Sequence, residues 1–208
     1  NLTFNDVADG LNDELFRNGL ITADGSGPCD LNVIVHSTGG LVIRHWLWRY
    51  YLNLGRMDAC PVKRVVMLAP ANFGSPLAHR GKSMLGALFK GRLRVGDLFE
   101  VGRRLLDGLE LGSPYQWELA HRDLLRDDCC YTASRIQTTI LVGVKDYDGV
   151  RGWVNKPGTD GTVVIAGTAL NSLKLVLDCC RPEQPEAADY VPYAWACEST
   201  PCDYAWGV

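Results

Sequence analysis

The amino-acid sequence predicts an α/β fold in which helices flank a mostly parallel β-sheet. Strand-like segments alternate along the chain with segments whose apolar residues recur at helical spacing. The strand-like segments are continuous apolar runs, which is typical of buried parallel strands. The chain has 208 residues, of which 47% are hydrophobic, and this is enough to bury one sizeable core. We therefore expect residues 1–208 to form a single domain.

The first predicted elements are a helix, a strand and a second helix. Val7, Leu11 and Leu15 lie at helical spacing in the segment DVADGLNDELFRNGL. The segment LNVIVH, residues 31–36, predicts a buried strand. It is followed almost at once by GLVIRHWLWRYYLNLG, which predicts an amphipathic helix that stops at Gly55.

Further strands are predicted downstream, separated by a long helical insertion. VKRVVMLAP, residues 62–70, and TTILVGV, residues 138–144, are apolar runs of strand length. Leucines recur at helical spacing between them, so residues 83–128 predict one or two amphipathic helices inserted as a cap. SLKLVLDCC, residues 172–180, predicts a last strand, and the tail 181–208, rich in Pro, Glu, Tyr and Trp, predicts a loop.

Charge and hydropathy argue against two classes of partner. A formal net charge of -3 and a pI near 5.8 give no basic surface of the kind that a nucleic acid requires. Every apolar run is interrupted by charge before the roughly 20 residues that a membrane-spanning helix needs. The sequence therefore favours a small-molecule partner, predicts no transmembrane segment and leaves the oligomeric state open.

The eight cysteines show no metal-binding pattern. No CxxC spacing with a nearby histidine is present, so we expect no zinc or other metal. Disulfides that join Cys179 or Cys180 to Cys197 or Cys202 are compatible with the sequence, and so are reduced, half-buried thiols. The cellular compartment stays open for the same reason.

A serine stands at the junction between the strand LNVIVH and the helix that follows it, in the sequence HSTGG. Ligands of parallel α/β sheets bind beyond the carboxyl ends of the strands, where the Ser37 hydroxyl would meet them. The N–H of Thr38, at the positive end of the helix, would stabilise an oxyanion formed by attack of the serine. Gly39 and Gly40 would keep bulk away from a strained turn. In the alternative interpretation, Ser37 is only a helix N-cap.

This junction resembles the nucleophile elbow of the α/β-hydrolase superfamily, and in particular the HSxGG motif of its lipase and esterase branch. MLAPANFGSPLA, residues 67–78, is similar to the segment after the next strand in lipases. One position departs from the pattern, because Val35 stands where the family usually has glycine. The resemblance implies an α/β-hydrolase fold and a serine hydrolase that cleaves carboxylic esters through an acyl-enzyme on Ser37, without a cofactor.

The resemblance also implies a catalytic acid between the serine and the histidine along the chain. Asp146, Asp148 and Asp160 all follow the segment TTILVGV. GTDGTV around Asp160 resembles the lipase pattern in which an aspartate and a glycine open a helix of small and apolar residues, so Asp160 is the preferred acid. As alternatives, Asp160 is only a helix cap, and Asp146 or Asp148 is the acid rather than a solvated turn residue.

No histidine stands where the base of such a triad is expected. The chain has the histidines His36, His45, His79 and His121. All of them precede Asp160, whereas the family places the base after the acid. We expect His36 to point away from the elbow, and His45 to lie on the helix behind it. We therefore expect a chain that is incomplete at both ends, with the catalytic histidine just beyond Val208.

The substrate class depends on the resemblance and on the cap. Phe89, Phe99 and the cap leucines would line a pocket for an acyl chain, or would only pack the cap onto the body. Lipase, short-chain esterase, phospholipase, thioesterase and acyltransferase activities all agree with the motifs, with an ester or lipid as substrate. In a different class, the chain is a non-catalytic binding module that lacks the base. A nucleotide-binding sheet is disfavoured, because HSTGG lacks the P-loop lysine and the dinucleotide glycine spacing.

Overall fold

The computed structural model describes most of the first two thirds of the chain and two later strands. The described residues are 2–76, 78, 103–132, 134–143, 158–160 and 162–170, and the backbone of 174–178 and 196–200. They belong to two compact units, Asn1–Leu170 and Asn171–Val208. The main elements of the first unit are α1 (Phe4–Arg17), β1 (Leu31–His36), α2 (Gly39–Leu47), β2 (Val62–Leu68), α3 (Arg103–Leu109), α4 (Pro114–Asp123) and β3 (Gln137–Leu141).

The helices begin and end close to where the sequence predicts. Thr3 and Asp6 form a capping box at the start of α1, in which each side chain accepts the backbone N–H of the other residue. The predicted helix after the serine is present, but it changes from α-helical to π-helical geometry over Trp48–Leu52. The chain turns away from this helix at Gly55, which has a positive φ of 63°.

The described strands of the first unit form a parallel sheet in the order β1-β2-β3. Ile34 of β1 pairs with Val66 of β2, which pairs with Thr139 of β3. All three strands lie where apolar runs predict them. Since parallel neighbours end at the same edge of a sheet, the turns that follow β1 and β2 lie side by side.

The two faces of this sheet differ in burial. One face packs against α1 and α2 around a core that includes Trp46, Tyr51 and Met67. On the other face, Ile34 is 72% exposed and Leu141 is 51% exposed. The expectation of strands buried on both faces is therefore wrong for β1 and β3, whose side chains alternate between exposed and half-buried positions.

The described part of the predicted cap packs onto the body of the unit. Leu105 of α3 and Leu119 of α4 are buried in one cluster with Phe4 and Leu41. These two leucines thus have the packing role that was one of the two alternatives. Phe89, Phe99 and the rest of the insertion before residue 103 lie outside the described residues, so the cap stays a prediction.

The second unit contains a pair of antiparallel strands, β4 (Lys174–Asp178) and β5 (Ala196–Thr200). β4 lies within the last predicted strand, whereas β5 corrects the expectation that the whole tail is a loop. Cys29, Cys60, Cys129 and Cys130 are free thiols, and the other cysteine side chains lie outside the described part of the chain. Over the described ranges, no helix has the length and apolar character needed to cross a membrane.

Candidate active site

Ser37 lies in the turn that joins β1 to α2, as the sequence predicts. β1 ends at His36 and α2 begins at Gly39, so the serine is the first residue after the strand. Its φ angle is 53°, in the left-handed region that residues other than glycine seldom occupy. Thr38, and not Ser37, is the N-cap of α2, so the interpretation of Ser37 as a simple N-cap is wrong. A strained conformation of this kind persists only where the surrounding structure enforces it.

The neighbouring strand and the loop after it hold Ser37 in this conformation. The N–H of Ser37 donates to the carbonyl of Leu68, at the end of β2, at 3.0 Å. The carbonyl of Ser37 accepts the N–H of Ala71 at 3.0 Å and the N–H of Gly40 at 3.1 Å. Both polar groups of the serine backbone are therefore fixed, and the half-buried side chain is carried on a rigid turn.

Gly39 and Gly40 allow α2 to begin close to two other segments. A Cβ atom on Gly40 would lie 2.8 Å from Oδ1 of Asn72 and 2.8 Å from Cβ of Pro70. A Cβ atom on Gly39 would lie 3.1 Å from Cβ of Val35. Gly39, on the helix side of the turn, thus leaves room for the side chain of Val35 on the strand side.

The first turn of α2 presents a free donor beside the serine. Thr38 has φ and ψ angles of -55° and -25°, and no described residue accepts a hydrogen bond from its N–H. Free N–H groups at the start of a helix carry partial positive charge. The N–H of Thr38 is thus available to an oxygen that develops negative charge next to Ser37.

Asp160 lies just before the 3-10 turn Ile165–Thr168 and is half-buried. Its Oδ1 accepts the N–H groups of Thr162 and Val163, both at 2.8 Å, and the hydroxyl of Thr162 at 2.9 Å. Asp160 therefore closes its own local turn onto Thr162 and Val163. It does not cap the 3-10 turn, whose N-cap is Val164, and that short turn replaces the regular helix expected there. Oδ2 accepts no hydrogen bond from any residue that the structure describes. One oxygen fixes the carboxylate, and the other is available to an imidazole N–H.

The loop of Asp160 is bonded to the segment that follows β2. Nδ2 of Asn72 donates to the carbonyl of Thr168 at 2.8 Å, and the N–H of Phe73 donates to the carbonyl of Gly167 at 2.9 Å. The same segment holds the carbonyl of the nucleophile candidate through Ala71, as described above. The structure thus attaches the serine turn and the loop 158–170 that contains Asp160, called the acid loop below after the role predicted for Asp160, to one segment at the carboxyl edge of the sheet.

The described histidines do not complete the site. His36 is exposed at the end of β1, His121 is exposed on α4, and neither these two nor His45 bonds the hydroxyl of Ser37. His79 and the competing acids Asp146 and Asp148 lie outside the described residues. Within the described ranges, no three His, Cys, Asp or Glu side chains are grouped so that they could hold a metal ion.

His45 is buried between three helices and has no free ring nitrogen. Its Nε2 lies 2.8 Å from Oδ1 of Asn5, and its Nδ1 lies 3.0 Å from the hydroxyl of Tyr115. Because Oδ1 can only accept, Nε2 carries the proton and Nδ1 accepts from the tyrosine. Burial, together with Arg49 and Arg122, lowers the pKa of His45 from 6.5 to about 4. The ring is neutral and joins α1, α2 and α4.

A buried ion pair behind the elbow was not predicted from the sequence. Arg44 of α2 and Asp123 of α4 are both fully buried, with Nε to Oδ2 at 2.8 Å and Nη2 to Oδ1 at 2.9 Å. Burial alone would lower the pKa of Arg44, but the carboxylate of Asp123 outweighs it and raises that pKa above its ordinary value. An arginine within the apolar run GLVIRHWL was the signal that could have indicated a buried partner.

Comparisons with known proteins give structural neighbours. Neither a protein-family model nor a curated protein sequence matches the chain. The structure of phospholipase PlaB from Legionella pneumophila is similar, with a TM-score of 0.61 and 32% identity over 96% of this chain and 39% of that one. A structure of the same phospholipase in complex with thio-NAD gives a TM-score of 0.62 and 32% identity over 96% of this chain and 38% of that one. The mature lipase BlEst2 from Bacillus licheniformis has a TM-score of 0.48 and 17% identity over 81% of this chain and 62% of that one.

The likeness to the phospholipase agrees with the architecture described above. The chain has a parallel sheet with flanking helices and a strand-to-helix turn that carries a serine, and its fold is α/β-hydrolase-like. The predicted fold class is thereby confirmed. The chain spans about two fifths of the phospholipase, since it covers 39% of that chain.

Proposed function

We propose that the chain carries the nucleophile and the acid of a serine hydrolase that cleaves carboxylic esters. The left-handed conformation of Ser37, in a strand-to-helix turn fixed by the neighbouring strand, carries this proposal. A serine on an ordinary surface turn has no need of this conformation, whereas a nucleophile needs its hydroxyl raised clear of the sheet. The similarity to a phospholipase supports the same class of reaction.

The geometry of the turn and of the acid loop supports the following roles. A general base takes the proton of the Ser37 hydroxyl while its oxygen attacks the ester carbonyl, and the resulting oxyanion accepts the N–H of Thr38. The tetrahedral intermediate then expels the alcohol, which takes the proton from the base, and the acyl group stays on Ser37. Water activated by the same base releases the carboxylic acid. Asp160 orients the base through Oδ2, which no described residue bonds.

The base itself is proposed to be a histidine outside the described residues. Both ring nitrogens of His45 are already bonded, and its lowered pKa makes it a poor proton acceptor near neutral pH. The chain order of the superfamily triad places the histidine after the acid, which here is Asp160.

The proposed substrate is a lipid ester. The similarity to a phospholipase supports it. The proposed cap at about 83–128 would line a pocket for the acyl chain with Phe89, Phe99 and its remaining leucines. A thioesterase or an acyltransferase would use the same nucleophile, with a different leaving group or with an acceptor other than water.

A fluorophosphonate probe and a p-nitrophenyl ester test the nucleophile in the protein that carries this sequence. We expect the wild-type protein to be labelled on Ser37, and Ser37→Ala to abolish both labelling and turnover while the fold survives. Undiminished turnover by Ser37→Ala would show that the serine is not the nucleophile. A wild-type protein that neither reacts with the probe nor cleaves the ester would favour the non-catalytic binding module.

The acid is tested by three matched substitutions. Asp160→Asn should lower kcat by about 10⁴-fold, because it removes the group that orients the base, while Asp146→Asn and Asp148→Asn should change kcat by less than about twofold. The reverse order of effects would transfer the acid to one of the other two positions.

A further inference from the structure

A line of buried polar groups leads from the end of α4 to the loop of Asp160. Asp123 binds Arg44, and Nη1 of Arg44 donates to the carbonyl of Asn72 at 2.7 Å. Nδ2 of Asn72 in turn donates to the carbonyl of Thr168 at 2.8 Å. Asp123, Arg44 and Asn72 are 0% exposed and Thr168 is 3% exposed. The line therefore runs from α4, through Arg44 of α2 and Asn72, to the acid loop, and all of it lies in the protein interior.

Stability alone does not explain the ion pair in this line. The free energy needed to remove two charges from water is about as large as the free energy of their mutual attraction. A buried ion pair is therefore weak evidence for a gain in stability. Here both partners are oriented: Asp123 accepts two N–H bonds from Arg44 and the hydroxyl of Tyr131 at 3.1 Å. The remaining nitrogen of the rigid guanidinium is directed at the backbone of Asn72. This arrangement is suited to holding one segment in one position.

Asn72 contacts both parts of the candidate site. Its bond to the carbonyl of Thr168 fixes which amide atom faces the acid loop. Its Oδ1 faces the first turn of α2, 2.8 Å from the position that a Cβ atom on Gly40 would occupy. Among the described residues, that oxygen has no hydrogen-bond partner. A buried acceptor without a partner is unfavourable, so the amide is better explained by what its nitrogen holds than by a gain in stability.

We propose that Asn72 is a positioning residue that sets the Asp160 loop against the nucleophile elbow, and that Arg44 and Asp123 hold it in place. This inference rests on the proposed function, because it assigns Asn72 to the pair formed by Ser37 and Asp160. Loss of the amide frees the carbonyl of the acid loop, and a displacement of about 1 Å in a catalytic group lowers a rate by about 100-fold. Asn72 is 0% exposed and so cannot itself touch a substrate, and we expect KM to stay nearly constant.

A double-mutant cycle tests whether Asn72 acts through Asp160. We expect Asn72→Ala to lower kcat for a p-nitrophenyl ester by about 10- to 100-fold and to leave KM within about twofold. In the Asp160→Asn background it should cause no further loss, since the group that it positions is already inactive. Losses that multiply across the cycle would overturn the inference. Arg49→Met is the matched control. Arg49 lies on the helical segment that continues α2, and its half-buried pair with Asp9 of α1 is remote from the acid loop, so kcat should stay unchanged.

A second variant keeps the test decisive if Asn72→Ala fails to fold. Arg44→Lys retains a cation beside Asp123 but cannot make the two parallel bonds and the third bond together. Once thermal denaturation shows that it is folded, its kcat should fall, and the fall should vanish in the Asp160→Asn background. An unchanged kcat would overturn the inference. Undiminished activity of Asp160→Asn alone would instead refute the acid assignment in the proposed function.

Discussion

Replacing Gly40 with alanine would press a methyl group into the segment that follows β2. The added Cβ would lie 2.8 Å from Oδ1 of Asn72 and 2.8 Å from Cβ of Pro70. Non-bonded heavy atoms are stable at roughly 3.5 to 4.0 Å, so both contacts would be short by about 1 Å. Overpacking of this kind costs about 1 to 3 kcal/mol, and the loss of a flexible glycine returns at most about 1 kcal/mol. We therefore expect the free energy of unfolding to fall by about 1 to 2 kcal/mol.

Urea denaturation followed by circular dichroism measures this change, with a lower midpoint and an unchanged slope as the expected result. Gly10→Ala is the matched control, because Gly10 is exposed on α1 and an added Cβ would meet nothing within 4 Å. That variant should gain up to about 1 kcal/mol. If Gly40→Ala proved as stable as Gly10→Ala, the close approach of α2 to the segment after β2 would be refuted. Gly40→Ala should also slow fluorophosphonate labelling of Ser37.

Three further predictions concern buried ionisable groups. The pKa of His45 is lowered to about 4 by burial and then by two arginines. Its unfolded form binds more protons between pH 6.5 and 4, so stability should fall as pH is lowered through that window, by at most about 3 kcal/mol. His45→Gln should remove this part of the pH dependence in urea denaturation. Asp123→Asn leaves a guanidinium buried without its counter-charge and should cost about 3 to 5 kcal/mol. Asp9→Asn breaks a pair that is only half-buried and should cost less than about 1 kcal/mol, and equal losses for the two variants in thermal denaturation would contradict the difference. Burial raises the pKa of Cys60 to about 11, so iodoacetamide should modify exposed Cys29 in the native protein and Cys60 only after unfolding, as mass spectrometry would show.

The serine turn could be predicted because all of its signals are local. An apolar run, a serine followed by small residues and an amphipathic run stand next to each other in the sequence, and each favours the element that forms there. The strand β5 could not be predicted in this way. Ala196–Thr200 reads ACEST, without an apolar run, and its extended state depends on pairing with β4. A strand that depends on a distant partner has little local signal.

The candidate site also contains residues that local sequence signals predict and residues that they do not. Ser37 and Asp160 were selected by their motifs, and the fold attaches the segments of both to the loop after β2, where parallel strands end. The groups that connect them were missed, because Arg44 and Asp123 are 79 residues apart and Asn72 and Thr168 are 96 residues apart. Such contacts depend on the tertiary packing of helices and loops, and the periodic pattern of one segment does not predict them.

Two of the three backbone bonds that hold Ser37 come from Leu68 and Ala71, so the left-handed turn depends on residues outside its own segment. A peptide of residues 31–47 alone would relax to an ordinary turn, since a residue with a side chain gains about 1 to 2 kcal/mol by leaving the left-handed region. The nucleophilicity proposed for this serine would therefore be coupled to the pairing of β1 with β2. A reagent that reacts only with the raised hydroxyl labels only the molecules in which β1 and β2 are still paired. During unfolding, the decrease in the labelling rate therefore reports the separation of those two strands.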